Sequence, residues 1–135
     1  MEPVLTPEYT EILLKTLVII AGFVAILFIT DFIFKWVILR NQKKVDVNGD
    51  GKVNKVDARL MREGYIIGKC ENLIILIFVL AGELTGLSLI FAAKSLARKK
   101  DIDNNAGFFL VGTLVNFTAT LILAYALKFL LAFLF

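Results

Sequence analysis

Three long runs of apolar residues divide the chain, and polar stretches separate them. The apolar runs are Leu13–Leu39, Leu73–Ala93 and Phe108–Phe135. A bilayer core requires roughly 20 apolar residues in a helix, so each run is long enough to cross a membrane. The pattern therefore predicts an all-α membrane protein with three transmembrane helices, whose two ends lie on opposite sides of the bilayer.

This pattern divides the chain into three predicted parts. Residues 1–39 form an acidic lead-in and the first transmembrane helix, residues 40–69 form a polar segment, and residues 70–135 form a transmembrane helical hairpin. A cleaved signal peptide is the alternative for the first apolar run. We reject it because the run is too long and no basic segment precedes it.

The polar segment contains the most specific motif in the chain. Three oxygen-bearing side chains occupy alternate positions from Asp46, as in a loop that surrounds a hard cation. Gly51 is at the sixth position, where such a loop turns sharply, and Asp57 is at the twelfth, where a bidentate carboxylate is expected. The candidate calcium ligands are Asp46, Asn48, Asp50, Lys52 (through its carbonyl oxygen), Asn54 and Asp57. The alternative is a solvated Asn/Gly/Asp turn between two helices.

The residues after this loop extend the motif. Apolar positions recur at helical spacing, so residues 53–67 predict a short amphipathic helix between the first and second transmembrane helices. Residues 46–57 have the pattern D-x-N-x-D-G-x-V-N-x-x-D, and the predicted helix follows them. Segment 46–67 therefore resembles a single dockerin repeat, which is an EF-hand-like calcium-binding unit. The resemblance implies Ca²⁺ binding and raises the expectation of a protein partner at this segment. Dockerins carry two such repeats, whereas this chain has one.

A second resemblance covers residues 70–117. The matching motifs are E-x-L-I at 71–74, A-A-K-S-x-x-R at 92–98 and F-L-x-G-T-L at 109–114. They resemble the C-terminal membrane portion of an uncharacterised bacterial integral-membrane family, a domain of unknown function. The resemblance implies a bacterial inner-membrane location and supplies no activity.

Polar and small residues interrupt the second apolar run. Glu83 is near its middle, where an unpaired acid costs several kcal/mol. Asn72 and Lys94 lie eleven residues before and after Glu83, so a single helix would place all three on one face. Gly82 and Gly86 form a small-xxx-small pair, which predicts close packing of another helix at this face.

The third apolar run carries a polar stripe at helical spacing. Thr113, Asn116 and Thr120 recur at i, i+3 and i+7. If the second and third helices are antiparallel, Asn116 and Thr120 lie near the depth of Glu83. These groups, together with Lys94, either line a pore or form interhelical hydrogen bonds with no further role.

Composition and charge narrow the functional classes. The chain is 59% hydrophobic and contains one cysteine and no histidine. We find no nucleophile elbow, phosphate-binding glycine loop or paired-carboxylate motif, and Cys70 has no neighbouring base, so an enzyme is not expected. Nucleic-acid binding is not expected either, because no aromatic platform accompanies the basic residues.

The distribution of basic residues predicts orientation. Segment 40–69 has eight Lys and Arg residues and link 98–105 has three. The excess favours a cytoplasmic calcium loop, since cytoplasmic loops are enriched in Lys and Arg. Dockerin-type loops usually work outside cells, which favours the opposite orientation.

The sequence therefore predicts a small oligomeric channel or transport component of the membrane with a calcium-binding regulatory loop. Three helices are too few to enclose a polar path in one subunit, so this function requires a homo-oligomer in the lipid bilayer. The alternative is a non-conducting scaffold or assembly subunit in which calcium only stabilises the loop.

Overall fold

Five helices form the protein in a computed structural model, which describes residues 6–38, 40 and 45–135. They are α1 (Pro7–Ile38), α2 (Lys55–Ala81), α3 (Thr85–Ala97), α4 (Lys99–Asn104) and α5 (Ala106–Leu134). The described ranges contain no β-strand. Helices α1, α2 and α5 are long and apolar enough to cross a membrane, which confirms the predicted all-helical class and the number of spans. The start of the predicted lead-in (residues 1–5), Leu39 and residues 41–44 lie outside the described ranges.

Helix α2 combines two elements that the sequence analysis separated. Asn54 is its N-cap: the Asn54 side chain accepts a hydrogen bond from the Val56 N–H, and the Asp57 side chain accepts one from the Asn54 N–H. This capping box starts a helix that is polar in its first turns and apolar after them. The predicted amphipathic helix is thus the beginning of α2 and continues into the membrane span without a break.

The second apolar run does not form one helix, contrary to the prediction. Helix α2 ends at Gly82, whose φ of 78° is left-handed, and the Gly82 and Glu83 N–H groups donate to Val79 and Phe78 carbonyls. This is a Schellman motif, in which glycine is favoured because it has no Cβ. Helix α3 then returns along α2, as shown by the 2.6 Å ion pair between Lys94 and Glu71.

The return of α3 reverses the expected direction of the last helix. Helix α5 is parallel to α2, because Asn116 contacts Asn72 at one level and Lys128 contacts Val79 at another. Helix α1 is antiparallel to both, and its Lys15 lies over the ring of Phe135. The outer ends of α1 and α5 therefore lie on the same side, and the prediction of opposite sides is wrong.

A small apolar core joins the helices on the side away from the loop. Its buried members are Ile26, Ile75, Leu76, Val79, Leu87, Ala124 and Leu127. Helices α1 and α5 approach closely where Gly22 faces Leu127, since a Cβ on Gly22 would lie 2.6 Å from the Leu127 side chain. Only 6% of the most apolar stretch of α1 is buried, so most of this helix is exposed on the surface of the chain.

Candidate functional site

The loop at residues 46–54 is folded by its own side chains. The Asp46 carboxylate accepts hydrogen bonds from the Gly49 and Gly51 N–H groups at 2.8 and 2.7 Å. The Asp50 carboxylate accepts from the Lys52 N–H at 2.8 Å. Gly51 has a φ of 81°, so the sharp turn predicted at this sixth position is present.

Asp57 holds the two ends of the loop together. Its Oδ1 accepts from the Val47 N–H at 2.8 Å and the Asn48 N–H at 3.3 Å, and its Oδ2 accepts from the Asn54 N–H at 2.8 Å. Asp57 is only 2% exposed. It lies in the polar first turn of α2, outside the apolar span. The Asn54 N–H is the main cause that lowers the Asp57 pKa below 3.8; burial opposes the shift, and the other two N–H groups add to it.

These hydrogen bonds leave different numbers of free lone pairs for a metal ion on the three carboxylates. A carboxylate has about four lone-pair positions. Asp46 and Asp50 each use two within the loop, whereas Asp57 uses three. Among the described residues, no group of three or more Asp, Glu, His or Cys side chains is arranged to hold a metal. Calcium binding by this loop stays a prediction.

The amide ligands of the predicted site also take part in the loop. The Asn48 Oδ1 accepts from the Asp50 N–H at 3.2 Å, and the Asn54 Oδ1 accepts from the Val56 N–H at 2.8 Å. A side-chain amide oxygen has two lone pairs, so each retains one for a cation. The loop therefore carries several oxygen atoms with remaining capacity, which is the ligand type that Ca²⁺ takes.

The loop is attached to the start of α5, a contact that the sequence analysis did not find. The Asn105 Nδ2 donates to the carbonyls of Asp46 and Val47 at 3.1 and 3.4 Å. The Asn105 Oδ1 accepts from the Phe108 N–H and so caps α5. Gly49 is close to the same junction: a Cβ there would lie 2.8 Å from the Asn104 carbonyl oxygen. An Asn before an apolar run is a typical N-cap, so the capping role of Asn105 could be predicted. Its contact with the Asp46 and Val47 carbonyls could not, because no neighbouring residue in the sequence indicates it.

A buried polar cluster joins the three candidate membrane spans α1, α2 and α5. The Asn72 Nδ2 donates to Thr30 Oγ1 at 3.0 Å, and Asn72 Oδ1 accepts from Asn116 Nδ2 and Thr120 Oγ1 at 2.9 Å each. Asn72 and Thr120 are fully buried, and Thr30 is 2% exposed. The predicted residues Asn116 and Thr120 thus meet Asn72 and Thr30, and not Glu83.

The remaining predicted membrane residues are dispersed. Glu83 is exposed in the turn between α2 and α3, so it does not share a helical face with Asn72 and Lys94. Lys94 pairs with Glu71, and both side chains are about 15% exposed. Gly82 caps α2, and a Cβ on Gly86 would collide with the Phe78 ring of the same hairpin. Gly82 therefore has a conformational role and Gly86 a packing role within one chain, which the spacing alone could not distinguish from packing between subunits.

Two lysines missed by the sequence analysis tie neighbouring helices. Lys69 on α2 forms an ion pair with Asp31 on α1, and its Nζ also donates to the Leu27 carbonyl at 3.0 Å. Lys128 on α5 donates to the Val79 carbonyl at 2.9 Å. A cation at the end of α2 is favourable because the helix dipole leaves negative charge on its last carbonyls.

A cavity of about 190 Å³ opens between α1, α2, α3 and α5 on the side of the loop. Thr30, Thr113 and Asn116 line its deep end, next to the polar cluster. Charged side chains also line it; they are Asp31, Lys35, Lys69, Glu71, Lys94 and Arg98. Thr113, predicted as a pore residue, therefore lines a cavity within one chain.

Comparisons with family models, with curated proteins and with solved structures find no match for the chain. The resemblances to a dockerin repeat and to a bacterial membrane family therefore stay predictions.

Proposed function

We propose that the protein is a small calcium-binding component of a membrane channel or transport system. The observation that carries the proposal is the attachment of the candidate loop to the starts of two helices, α2 and α5. The loop is held to the first turn of α2 by Asp57 and to the start of α5 by Asn105. An ion held by Asp46, Asn48 and Asp50 would fix the positions of these helices relative to one another, as sensor sites bias a two-state element.

The charge distribution supports an orientation for this component. Because α3 returns along α2, the loop and link 98–105 lie on the same side, as the contact of Asn105 with Asp46 requires. The two groups of basic residues therefore add to each other, whereas Glu83 lies at the other end of the α2–α3 hairpin. Lys and Arg are enriched on the cytoplasmic side, so we propose that the loop faces the cytoplasm.

The second candidate is a non-conducting scaffold or assembly subunit. The polar cluster favours the scaffold, because Asn72 forms hydrogen bonds with Asn116 and Thr120 of its own chain and these side chains need no partner from a second subunit. Among the described residues, no buried side-chain nitrogen or oxygen lacks a hydrogen-bond partner. In this candidate, calcium stabilises the loop and no path crosses the chain. A channel would need further copies, with the exposed Glu83 contributing charge at a shared entrance.

Calcium binding is tested on the intact protein in mild detergent. We expect Ca²⁺ to give binding heat and to raise the unfolding temperature more than Mg²⁺, because many oxygen ligands suit the larger ion. Asp50→Asn should abolish the preference, since it removes an exposed carboxylate of the loop. Asp103→Asn is the matched control, because Asp103 is an exposed acid on α4 outside the loop. Equal responses of the two variants would end the calcium proposal.

Conduction is tested by reconstitution into liposomes loaded with an ion-sensitive dye. Calcium-dependent flux in the wild type that falls in Glu83→Gln supports the channel. The absence of flux at any calcium concentration, with calcium binding intact, supports the scaffold. Glu63→Gln is the control, since Glu63 is an exposed acid near the loop and far from the hairpin turn.

A further inference from the structure

Side chains at the two ends of α1 mark the boundaries of the apolar layer that this helix crosses. Trp36 stacks with Arg40 at 5.2 Å at the end next to the loop, and Lys15 pairs with Glu11 at 2.7 Å at the other end. Tryptophan and basic residues are typical of the boundary between lipid tails and headgroups. At 1.5 Å per residue, Lys15 and Trp36 lie about 30 Å apart along the helix, which is the thickness of a bilayer core.

The turn between α2 and α3 lies inside this layer. We call residues 81–85 the hairpin tip; all five are exposed on the chain. Lys128 of α5 is level with the tip, because a Cβ on Gly82 would lie 3.8 Å from its Nζ. Helix α5 continues beyond Lys128 to Phe135, whose ring lies 5.2 Å from the Lys15 Nζ. This distance along α5 is roughly 10 Å, so the tip ends about 10 Å short of the level of Lys15.

The lengths of the two arms of the hairpin agree with this depth. Helix α3 has 13 residues and is about 20 Å long, whereas a helix needs roughly 20 residues to cross a bilayer core. Helix α2 is longer, but its first turns carry the charged residues Lys55, Arg59 and Arg62. Its uninterrupted apolar part begins only after Glu71 and ends at Ala81. Neither arm therefore places enough apolar residues beyond its charged end to cross the layer.

The polar groups of the tip need partners at this depth. Among the described residues, no hydrogen bond or ion pair reaches the Glu83 side chain. Lys128, the basic residue at this level, donates instead to the Val79 carbonyl at 2.9 Å. Acidic side chains and non-helical backbone occur at membrane depth where they contact protein or water, and not where they contact lipid.

We propose that α2 and α3 form a re-entrant hairpin, and that water and small inorganic cations reach its tip from the side opposite the loop. Helix α2 enters the bilayer from the loop side, turns at Gly82 and returns as α3, whereas α1 and α5 cross. Among the described elements, only α1 and α5 continue past the tip, so the water-filled recess lies beside their outer ends. The Glu83 carboxylate supplies negative charge in this recess and attracts cations.

This proposal rests on the location of the chain in a membrane and on nothing else in the proposed function. It holds for the channel and for the scaffold, and it does not involve calcium. Its test therefore measures access of water-soluble reagents to the tip and requires neither calcium binding nor conduction.

The test measures the reactivity of single cysteines in the full-length protein, in intact cells and in inverted membrane vesicles. Cys70→Ser removes the natural thiol, and Thr85→Cys places a thiol at the tip. Phe129→Cys is the matched control, because Phe129 follows Lys128 at the depth of the tip and is 76% exposed on α5, where we expect it to face lipid. Tyr9→Cys is the reference beyond the apolar layer on the side opposite the loop.

A small hydrophilic methanethiosulfonate should label Thr85→Cys from the side that labels Tyr9→Cys. The exposed loop variant Lys52→Cys should be labelled from the other side. Phe129→Cys should react at least roughly tenfold more slowly than Thr85→Cys, because lipid excludes the water in which the reactive thiolate forms. Labelling of Thr85→Cys as slow as that of Phe129→Cys, or from the side of Lys52→Cys, would overturn the recess.

The depth of the tip is tested with a maleimide attached to a bulky polyethylene glycol chain. It should react with Tyr9→Cys and not with Thr85→Cys, because the recess admits only small reagents. Equal reaction of the two variants would overturn the re-entrant hairpin, since the tip would then lie in bulk water. Leu84→Cys, another exposed position of the tip, replaces Thr85→Cys if that variant does not fold.

The role of Glu83 is tested by the charge of the reagent. A cationic methanethiosulfonate should label Thr85→Cys roughly fivefold faster than an anionic one, after each rate is divided by its rate with a free thiol in water. Glu83→Gln should remove this preference. Glu63→Gln, which changes an exposed acid near the loop, is the control and should leave it intact. An unchanged preference in Glu83→Gln would overturn the assignment of Glu83 as the source of the charge.

Discussion

The candidate calcium loop and the Asn72 cluster are both hydrogen-bond networks of polar groups. They differ in how far apart in the sequence their hydrogen-bond partners lie. The loop's carboxylates accept hydrogen bonds from groups no more than ten positions away. The Asn72 cluster joins residues that are 42 to 48 positions apart. The first network lies in the polar segment, where water competes for every donor, and the second lies where few alternatives to protein partners exist.

Because of this difference, the loop should contribute to local stability and the Asn72 cluster to the stability of the whole protein. The loop can open when only its contacts with Asn105 and with Asp57 in the first turn of α2 are broken, because its other hydrogen bonds are internal. The Asn72 cluster cannot open without separating α1, α2 and α5. We therefore expect variants of the cluster to lower the free energy of unfolding of the whole protein, and variants of the loop to act on the loop alone.

The largest effect is expected for Asn72→Leu, which removes three interhelical hydrogen bonds. At roughly 0.6 kcal/mol each, the free energy of unfolding should fall by about 2 kcal/mol. Unfolding in mixed micelles by titration with sodium dodecyl sulfate measures it. An unchanged unfolding curve would mean that Asn72 does not join the three helices.

A smaller effect, confined to the loop, is expected for Gly51→Ala. Gly51 has a φ of 81° and open space around it, so the cost is conformational and about 1 kcal/mol. Amide exchange at Gly49 and Asp50 should accelerate roughly fivefold, while exchange in α5 stays the same. Gly107→Ala is the control, since Gly107 is helical and also open. Faster exchange throughout the helices would remove the distinction between the two networks.

Within the cluster, Thr120→Ala should cost about 0.6 kcal/mol, the average for one hydrogen bond between membrane helices. Thr118 lies on the same helix and is exposed, so Thr118→Ala is the matched control and should be nearly neutral. Both are measured by the micelle titration. Equal losses would assign the effect to helix propensity and not to the contact with Asn72.

The smallest effect on the stability of the whole protein is expected when the pH is lowered and the Asp57 carboxylate is protonated. The lowered pKa of Asp57 means that its contribution to loop stability is complete above the ordinary value of 3.8 and is lost as pH falls through the lower folded value. The Val47 amide resonance should therefore titrate with a midpoint below 3.8, and Asp57→Asn should remove this titration. A midpoint at or above 3.8 would show that the Asp57 carboxylate lacks its backbone donors.

The sequence predicts the loop turn and the three spans because both depend on local information. Apolar length identifies a span, and the glycine at the sixth loop position identifies the turn. The turn at Gly82 between α2 and α3 was missed because segment 73–93 is apolar on both sides of Glu83, and hydropathy does not separate one helix from two antiparallel ones. Gly82 as a C-cap before Thr85 is the signal that could have revealed it.

The partners of Asn72 could not be predicted for the same reason. The second apolar run was taken as one helix, whereas it turns back at Gly82, and this turn reverses the direction of every later helix. Asn116 and Thr120 were therefore expected at the level of Glu83. The prediction that Asn116 and Thr120 share one face of a helix was correct, because helical spacing fixes it whatever the direction of α5. Lys128 gave no local indication that it would contact the end of α2.

The contact between Asn105 and Asp46 links positions 59 apart and has a consequence for biosynthesis. Contacts of such separation form late, because the intervening chain must first be ordered. A ribosome makes α2 and α3 before it reaches Asn105, so the nascent loop lacks this contact while those helices are being made. The residue that caps α5 thus completes a polar loop that was made before α2 and α3.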